Sequence, residues 1–540
     1  MANPSLQIGN SNWAIKEDNL LGYSTAGTRF LPQPITMTRA SAGTRVNSSG
    51  LIETVELLGS ELITDGDFAL TGTQAESTTG TYWSTGASWT IANNIATYGG
   101  VGEPYLNNLN AVNIQVGQTF IFTFTLNSDA KLRFVNEAGA RFQGTWVVYA
   151  QGTHTVYITS GISATLIGIQ ADTNNGSFGV SNVSVKESTK NNLARVDYDG
   201  TASSLLVEPQ RTNLVTYSED FSNAIYIKDS TVSVGTTNNV SPSGESNATK
   251  IDVTASGRIY SNVTTDTYVS SIFIKAGTFA YFKLAGVQVD LVAETNANGT
   301  IESFGNGWFK VGVNYTGNRP FQIQAYPNGS YATHTTSGNY FIWGSQIEAG
   351  SYATSYIPTS GSTVTRVADR YDKAGISNLI NSEEGVLFAE MAALANDSTN
   401  RQITISDGTN DNRLVLKYDN QSNVIQSFNR VSGTETAFLS YTVTDITVFN
   451  KIAIKYKLND YALWVNGVEV ATDLSASTFT GLNTFSFYSG AASFLGKVKQ
   501  LQVFKTALTD DELTILTGTS GVHFYPSYAD MASALTYTIE

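Results

Sequence analysis

The chain has no cysteine, only three histidines and four methionines, and few charges for its 540 residues. Without cysteine it can form no disulfide, no thiolate zinc site and no cysteine nucleophile. His154, His334 and His523 lie far apart in sequence, and a histidine triad or zinc site would need nearly all of them. Charged residues are 14% of the total, and 31 basic against 45 acidic residues give a formal charge of −14. With no Lys/Arg cluster to offset that balance, a nucleic-acid role is not expected. No apolar run approaches the ~20 residues that cross a bilayer, so no membrane insertion is expected. The opening MANPSLQIGNSNWAIKEDN has neither a basic n-region nor an apolar h-region, so no signal peptide is expected, and assembly in a cytosol is. Long stretches of Ala, Leu, Glu and Lys are missing too, which leaves little room for helices.

What is present suits strands. Tyr (27), Phe (26) and abundant Thr fit a pleated face, and Gly (47), Asn and Ser fit the corners. The expected fold class is all-β and multi-domain, since 540 residues exceed one core. Residues 1–57 show little regular patterning and read as an arm that orders only against a partner, the expected anchoring segment. Residues 58–188 change to alternating strands. FIFTFTLN (120–127) puts Phe120, Phe122 and Phe124 on one face, and further short strands follow at sandwich spacing. Residues 189–212 read as a joint, and 213–366 repeat the sandwich plan: LVTYSEDF (214–221) answers LITDGDF (62–68), VSSIFIKAG answers FIFTFTLNSDA, and GNYFIWGSQIEAG answers GSFGVSNVSVKE.

Residues 367–518 form a third β region. In KIAIKYKLNDYALWVNGVEVATD, Ile452, Ile454, Tyr456 and Leu458 alternate, then Tyr461, Leu463 and Val465, and Asn466-Gly467 supplies the positive φ of a tight hairpin. Thr509 and Glu512 form a capping box ahead of one short helix that Gly518 ends. Residues 519–540 are an aromatic tail.

Several motifs carry a resemblance. ITMTRASAGTRVNSSGLIETV, ARVDYDG and LLVEPQRTNLVTYSEDFS are similar to a segment common in tailed-bacteriophage virion proteins, which precedes a sandwich ending in a piece like IWGSQIEAGSYATSYIPTSGSTVTR (342–366). LWVNGVEV (463–470) and FLGKVKQLQVFKTALTDDEL (494–513) resemble a concanavalin A-like, laminin-G-like domain. The resemblance implies two jelly-roll, carbohydrate-binding-like β-sandwiches followed by that domain. It implies a fibre, tail-tip or head-appendage protein of the virion, homo-oligomeric and often trimeric, with other virion proteins (tail, portal or capsid) and host glycans as partners.

Two departures stand out. The GLIE and R-x-D-Y pieces, neighbours in the family, are separated here by the first sandwich, which reads as an insertion. NAIYIK (223–228) stands where the family usually has a Trp.

The chemistry is sparse. A glycosidase needs two carboxylates across a cleft, and the pairs Asp65/Asp67, Glu219/Asp220, Glu383/Glu384 and Asp510/Asp511 are available, but each is explained by a turn, a strand entry or a helix start. No catalytic residue is therefore expected, and a polysaccharide depolymerase is the competing reading. A bacterial surface adhesin would need an export route that the sequence does not show. Sandwiches of the resembled kind often hold a structural Ca²⁺, for which Asp65, Asp67 and Glu187 are candidates in the first copy and Glu219, Asp220 and Glu348 in the second. Where relatives often carry Asp in the closing strand, this chain has Ser181-Asn182. Sugars stack on exposed aromatic rings. Trp83, Trp89 and Trp146 of the first sandwich are the candidate platform; Trp308 is a lesser candidate, and Trp343 and Trp464 sit in apolar runs that suit a core. In the joint, Arg211 is expected to pair with Glu208 or Glu219 across the Glu208-Pro209 bend.

Overall fold

The computed structural model of the chain describes residues 4–9, 15–16, 19–20, 23–24, 29–30, 35–69, 82–86, 88–136, 138–142, 144–236, 238–261, 263, 267–316, 321–489 and 492–518. The fold is all-β, built from several sandwich sheets, and the single helix among the described residues is Asp510–Thr517. The expected tail at 519–540 lies outside the described residues. Among those described, no helix is long and apolar enough to cross a membrane. The chain divides into two compact units, Glu56–Lys190 and the combination of Met1–Val55 with Asn191–Glu540.

Glu56–Lys190 is one sandwich. Its larger sheet runs Trp89–Ala92, Ile95–Tyr98, Phe178–Thr189, Thr119–Leu126, Gly152–Thr159, with Leu57–Glu61 also paired to Phe178–Thr189. Its smaller sheet runs Trp83–Thr85, Tyr105–Asn108, Ile167–Ala171, Ala130–Val135, Val147–Tyr149. Period-two alternation decides which side is core. Phe120, Phe122, Phe124 and Leu126 are buried, and the intervening residues face outward. There Thr119 and Thr125 pair with Thr159 and Thr153, hydroxyl to hydroxyl, each at 2.9 Å.

The other unit contains a sandwich of the same strand order. Its larger sheet runs Val232–Val234, Thr249–Val253, Gly338–Glu348, Thr267–Ala276, Trp308–Thr316, Gly299–Ser303. The smaller runs Tyr226–Lys228, Arg258–Ser261, Gln322–Tyr326, Tyr281–Leu284, Val287–Asp290, Thr295–Asn296. The two opening segments behave alike: Leu62 N–H donates to Val185 O, and Leu214 N–H to Ile347 O.

The third region packs two large sheets over one core. One has the central order Val468–Asp473, Tyr461–Val465, Asn450–Tyr456, Gly385–Ala393, Gly496–Phe504. The other includes Thr434–Thr442, Val424–Val431, Arg413–Tyr418, Arg401–Ser406, Thr484–Ser486, Arg370–Lys373. Asn466 and Gly467 take positive φ (49° and 91°) at the hairpin. The capping box of Thr509 and Glu512 forms, and Asp510, Asp511 and Glu512 fill the first turn. Gly518 ends the helix in extended backbone (φ −67°), without a left-handed turn. Leu458 is a correction: it lies past the end of its strand and is exposed. Trp464, Ala453 and Phe388 face the helix instead of the main core, so both faces of this sheet are apolar.

The amino-terminal segment departs most from expectation. Several of its described strands are no loose arm, because they complete sheets of the same chain. Leu6–Gly9 pairs with Gly496–Phe504, and Thr36–Thr38 with Arg370–Lys373. Leu6, Ile8, Ile35 and Met37 join the core of the third region, as do Leu205 and Val207. The hairpin Thr44–Val46/Ile52–Thr54 lays Ile52 on an aromatic cluster of Phe273, Trp308, Trp343 and Tyr356.

Candidate functional site

Two places concentrate chemistry. The first is the joint SLLVEPQRTNL (204–214). Leu205, Leu206 and Val207 pair with Gly496–Val498 and are buried, which brings Glu208 to the end of a strand with no water around it (2% exposed). A carboxylate there needs cations and donors. Arg195 Nη1 lies 2.7 Å and Arg366 Nη1 2.9 Å from Glu208 Oε2. Ser355 donates its backbone N–H to Oε1 and its hydroxyl to Oε2, both at 2.7 Å. Asp369 accepts from Arg39 Nη1 at 2.7 Å, from Arg195, and from the Glu208 backbone N–H at 2.9 Å. Gly43 permits the approach: a Cβ there would stand 2.9 Å from Arg39 Cζ and 3.0 Å from Arg195 Cδ.

Burial pushes the Glu208 carboxyl up, but Arg366, Arg195 and the Ser355 hydrogen bonds outweigh it and hold it well below the usual carboxylate range. Arg195 is lowered by burial and raised further by Asp369 and Glu208, so it stays firmly charged. The expected pairings of Arg211 are thus corrected. Glu208 is taken by Arg195 and Arg366, while Arg211 Nε lies 3.8 Å from Glu348 Oε2 and its guanidinium faces Tyr352. Glu219 is turned inward to the Tyr356 hydroxyl (2.8 Å) and the Asn247 amide (3.0 Å), and burial raises its carboxyl.

The second place is the outer face of the smaller sheet in Glu56–Lys190. The candidate tryptophans separate there. Trp83 (1% exposed) and Trp89 (0%) are core residues, a correction to their expected exposure. Both sit on strands whose other faces carry the Ser and Thr that made the stretch look like a loop. Their indole N–H groups donate to Asp65 O (2.9 Å) and Pro104 O (3.2 Å). Trp308, Trp343 and Trp464 are also buried. Trp146 alone of the three named candidates is half-exposed, with the Arg133 guanidinium 3.9 Å from its ring centroid. Arg133 Nε donates to Gln170 Oε1 at 2.6 Å, and Glu103 lies 3.7 Å from Arg133 Nη2. Composition did not single out Arg133; its register beside Gln170 is what places it.

The candidate calcium ligands do not converge. Gly66, between Asp65 and Asp67, accepts from the Val183 N–H, whereas Glu187 lies further along that strand opposite Phe120 and accepts from Gln118. Asp220 caps its own turn through Ser222, and Glu348 accepts from Gln346 and Thr354. Among the described residues no three His, Cys, Asp or Glu side chains come together as a metal site. The residues present do not fit Ca²⁺ as proposed from the sequence.

Residues 392–514 match the family model of the concanavalin A-like lectin/glucanases superfamily. The third region is thus a lectin-like sandwich module. No curated protein matches the chain. Among solved structures, the chain is similar to the CBM40 of Ruminococcus gnavus IT-sialidase, at 24% identity over 26% of this chain and 84% of that one (TM-score 0.23). It is also similar to the leech intramolecular trans-sialidase, at 20% identity over 27% of this chain and 24% of that one (TM-score 0.23). A third, Trypanosoma rangeli sialidase, is 7% identical over 95% of this chain and 99% of that one (TM-score 0.22). At such TM-scores none of the three bears on function.

Proposed function

We propose that this chain is a non-enzymatic structural protein of a tailed-bacteriophage virion, a fibre, tail-tip or head appendage, whose sandwiches face host glycans or neighbouring virion proteins. The observation that supports this reading is where the resembling motifs meet. Arg39 of TRAS, Arg195 of ARVDY, Glu208 of EPQRTNL, Ser355 of SYATSYIPTSGS and Asp369 form one buried, ion-paired joint. They act together as a structural lock, which suits a protein that must hold modules at fixed angles. In this reading the protein is assembled in the host cytoplasm as a homo-oligomer, trimers included, and stays in the virion.

The test joins location to activity. Immunogold labelling of purified particles should decorate an appendage, and a glycan array probed with the full chain, in Ca²⁺ and in EDTA, should show binding. Labelling confined to unassembled host lysate would sink the virion reading. New reducing ends released from a bound polysaccharide would overturn the non-enzymatic part in favour of a depolymerase.

A further inference from the structure

The smaller sheets of the two sandwiches share more than strand order. Ile169-Gln170-Ala171 and Ile323-Gln324-Ala325 are the same three residues on equivalent strands. In one sheet Gln170 stands between Tyr105 and Arg133; in the other Gln324 stands between Arg258 and Lys283. Both rows face away from the core, since the alternate residues Leu106, Ile169 and Phe134, and Ile259, Ile323 and Leu284, are the ones inside.

Each central cation meets aromatic rings. Arg133 lies on half-buried Trp146, and the Lys283 ammonium lies 5.1 Å from the centroid of Tyr326, which is buried, and 5.9 Å from that of half-buried Tyr331. Arg133 (7% exposed) and Gln170 (2%) are fixed: Gln170 Nε2 donates to Glu103 O at 3.0 Å while its carbonyl holds Arg133. Burial and, after it, the guanidinium of exposed Arg141, which is bridged to Val135 two residues along the strand, disfavour the charge on Arg133, and the half-exposed Glu103 carboxylate 3.7 Å from its Nη2 favours it. Lys283 has no carboxylate within ion-pair distance among the described residues. In a chain of charge −14, cations beside aromatic rings recur at one register of two sandwiches.

We propose that this row in each sandwich binds an acidic polysaccharide, the half-buried ring of Trp146 or Tyr331 stacking on a sugar and the cation pairing with its carboxylate. The proposal rests on the glycan-display reading and deepens it to a ligand class and two sites per chain. Isothermal calorimetry of the full chain with an oligogalacturonate, and with its carboxyl-reduced neutral counterpart, tests it. The wild type should bind two acidic ligands per chain, with the neutral form at least about tenfold weaker, the loss of one charge-assisted contact. Arg133→Gln and Lys283→Gln should each remove one site, and the double variant both. Should Arg133→Gln unfold its unit, the exposed Arg141→Gln takes its place and should weaken that same site. Equal affinity for acidic and neutral ligands, or full binding by a folded double variant, overturns the acidic row while leaving glycan display intact. An array on which no glycan of any charge binds takes down both.

Discussion

The two sandwiches have the same strand order and even the same irregularity, yet opposite outer faces. In each, the register of the central strand pair shifts by one residue, between Thr123 and Thr125 in one and between Ser271 and Phe273 in the other. Just beyond that bulge Thr125 stands opposite Ser181, and the equivalent Phe273 stands opposite Trp343. The first face is a ladder of hydroxyls that water can solvate. The second is aromatic and lies under Ile52 of the amino-terminal hairpin and Tyr356. One backbone plan therefore forms a compact unit of its own when its larger sheet is polar outside. It serves as a built-in part of a frame when that sheet is apolar on both sides.

Changes to the frame should cost most. Glu208→Ala leaves Arg195 and Arg366 buried beside a cavity and should destabilise the Met1–Val55/Asn191–Glu540 unit by about 3–5 kcal/mol. Denaturant unfolding with a separate tryptophan or calorimetric signal for Glu56–Lys190 should show that second transition unmoved. Trp343→Ala, emptying the aromatic face, should cost about 3 kcal/mol in the same assay, whereas Ser181→Ala at the equivalent position should stay within about 0.5 kcal/mol. A similar loss at both positions would break the comparison.

Acid sharpens it further. Glu208 is held below its ordinary value of 4.5, so the folded state binds fewer protons than the unfolded one as pH falls past that value. Its contribution is complete above about pH 4.5 and is lost progressively below it. Unfolding midpoints at pH 7, 5 and 3 should fall steeply for wild type at the lowest pH and less steeply for Glu208→Gln. The smallest effect belongs to the hydroxyl ladder: Thr125→Ala should cost no more than about 1 kcal/mol, read from the melting of Glu56–Lys190.

How much of this was written in the sequence differs between the same two regions. Phe120, Phe122 and Phe124 alternate with hydroxyl and β-branched residues, and that period alone puts them inside. The hairpin at Asn466-Gly467 and the cap at Thr509 were equally legible, because each is decided within a few residues. Trp83 and Trp89 misled because their strands are only three and four residues long, too short for alternation to outweigh the Gly, Ser and Thr around them. The joint was illegible for another reason. Arg39 and Asp369 are 330 positions apart, and Ser355 is 147 from Glu208, so nothing local selects Arg195 over the nearer Arg211 as the partner of Glu208. Burial selects it: Leu205 to Val207 carry Glu208 into the interior, while Arg211 begins the next strand with 17% of its side chain exposed and lies towards Glu348.

Leu57 and Leu58, at the start of Glu56–Lys190, pair with Thr189 and Ser188 at its end. Entry and exit of this sandwich are therefore neighbours on adjacent strands, and the loop it interrupts needs to open by only one strand spacing, about 5 Å. A segment with such paired ends behaves as an interchangeable cassette. It can be lost, or replaced by another module of the same footprint, without re-routing the surrounding chain. That geometry lets a whole module be exchanged in one step, between two neighbouring strand ends, while the ion-paired frame keeps its own residues.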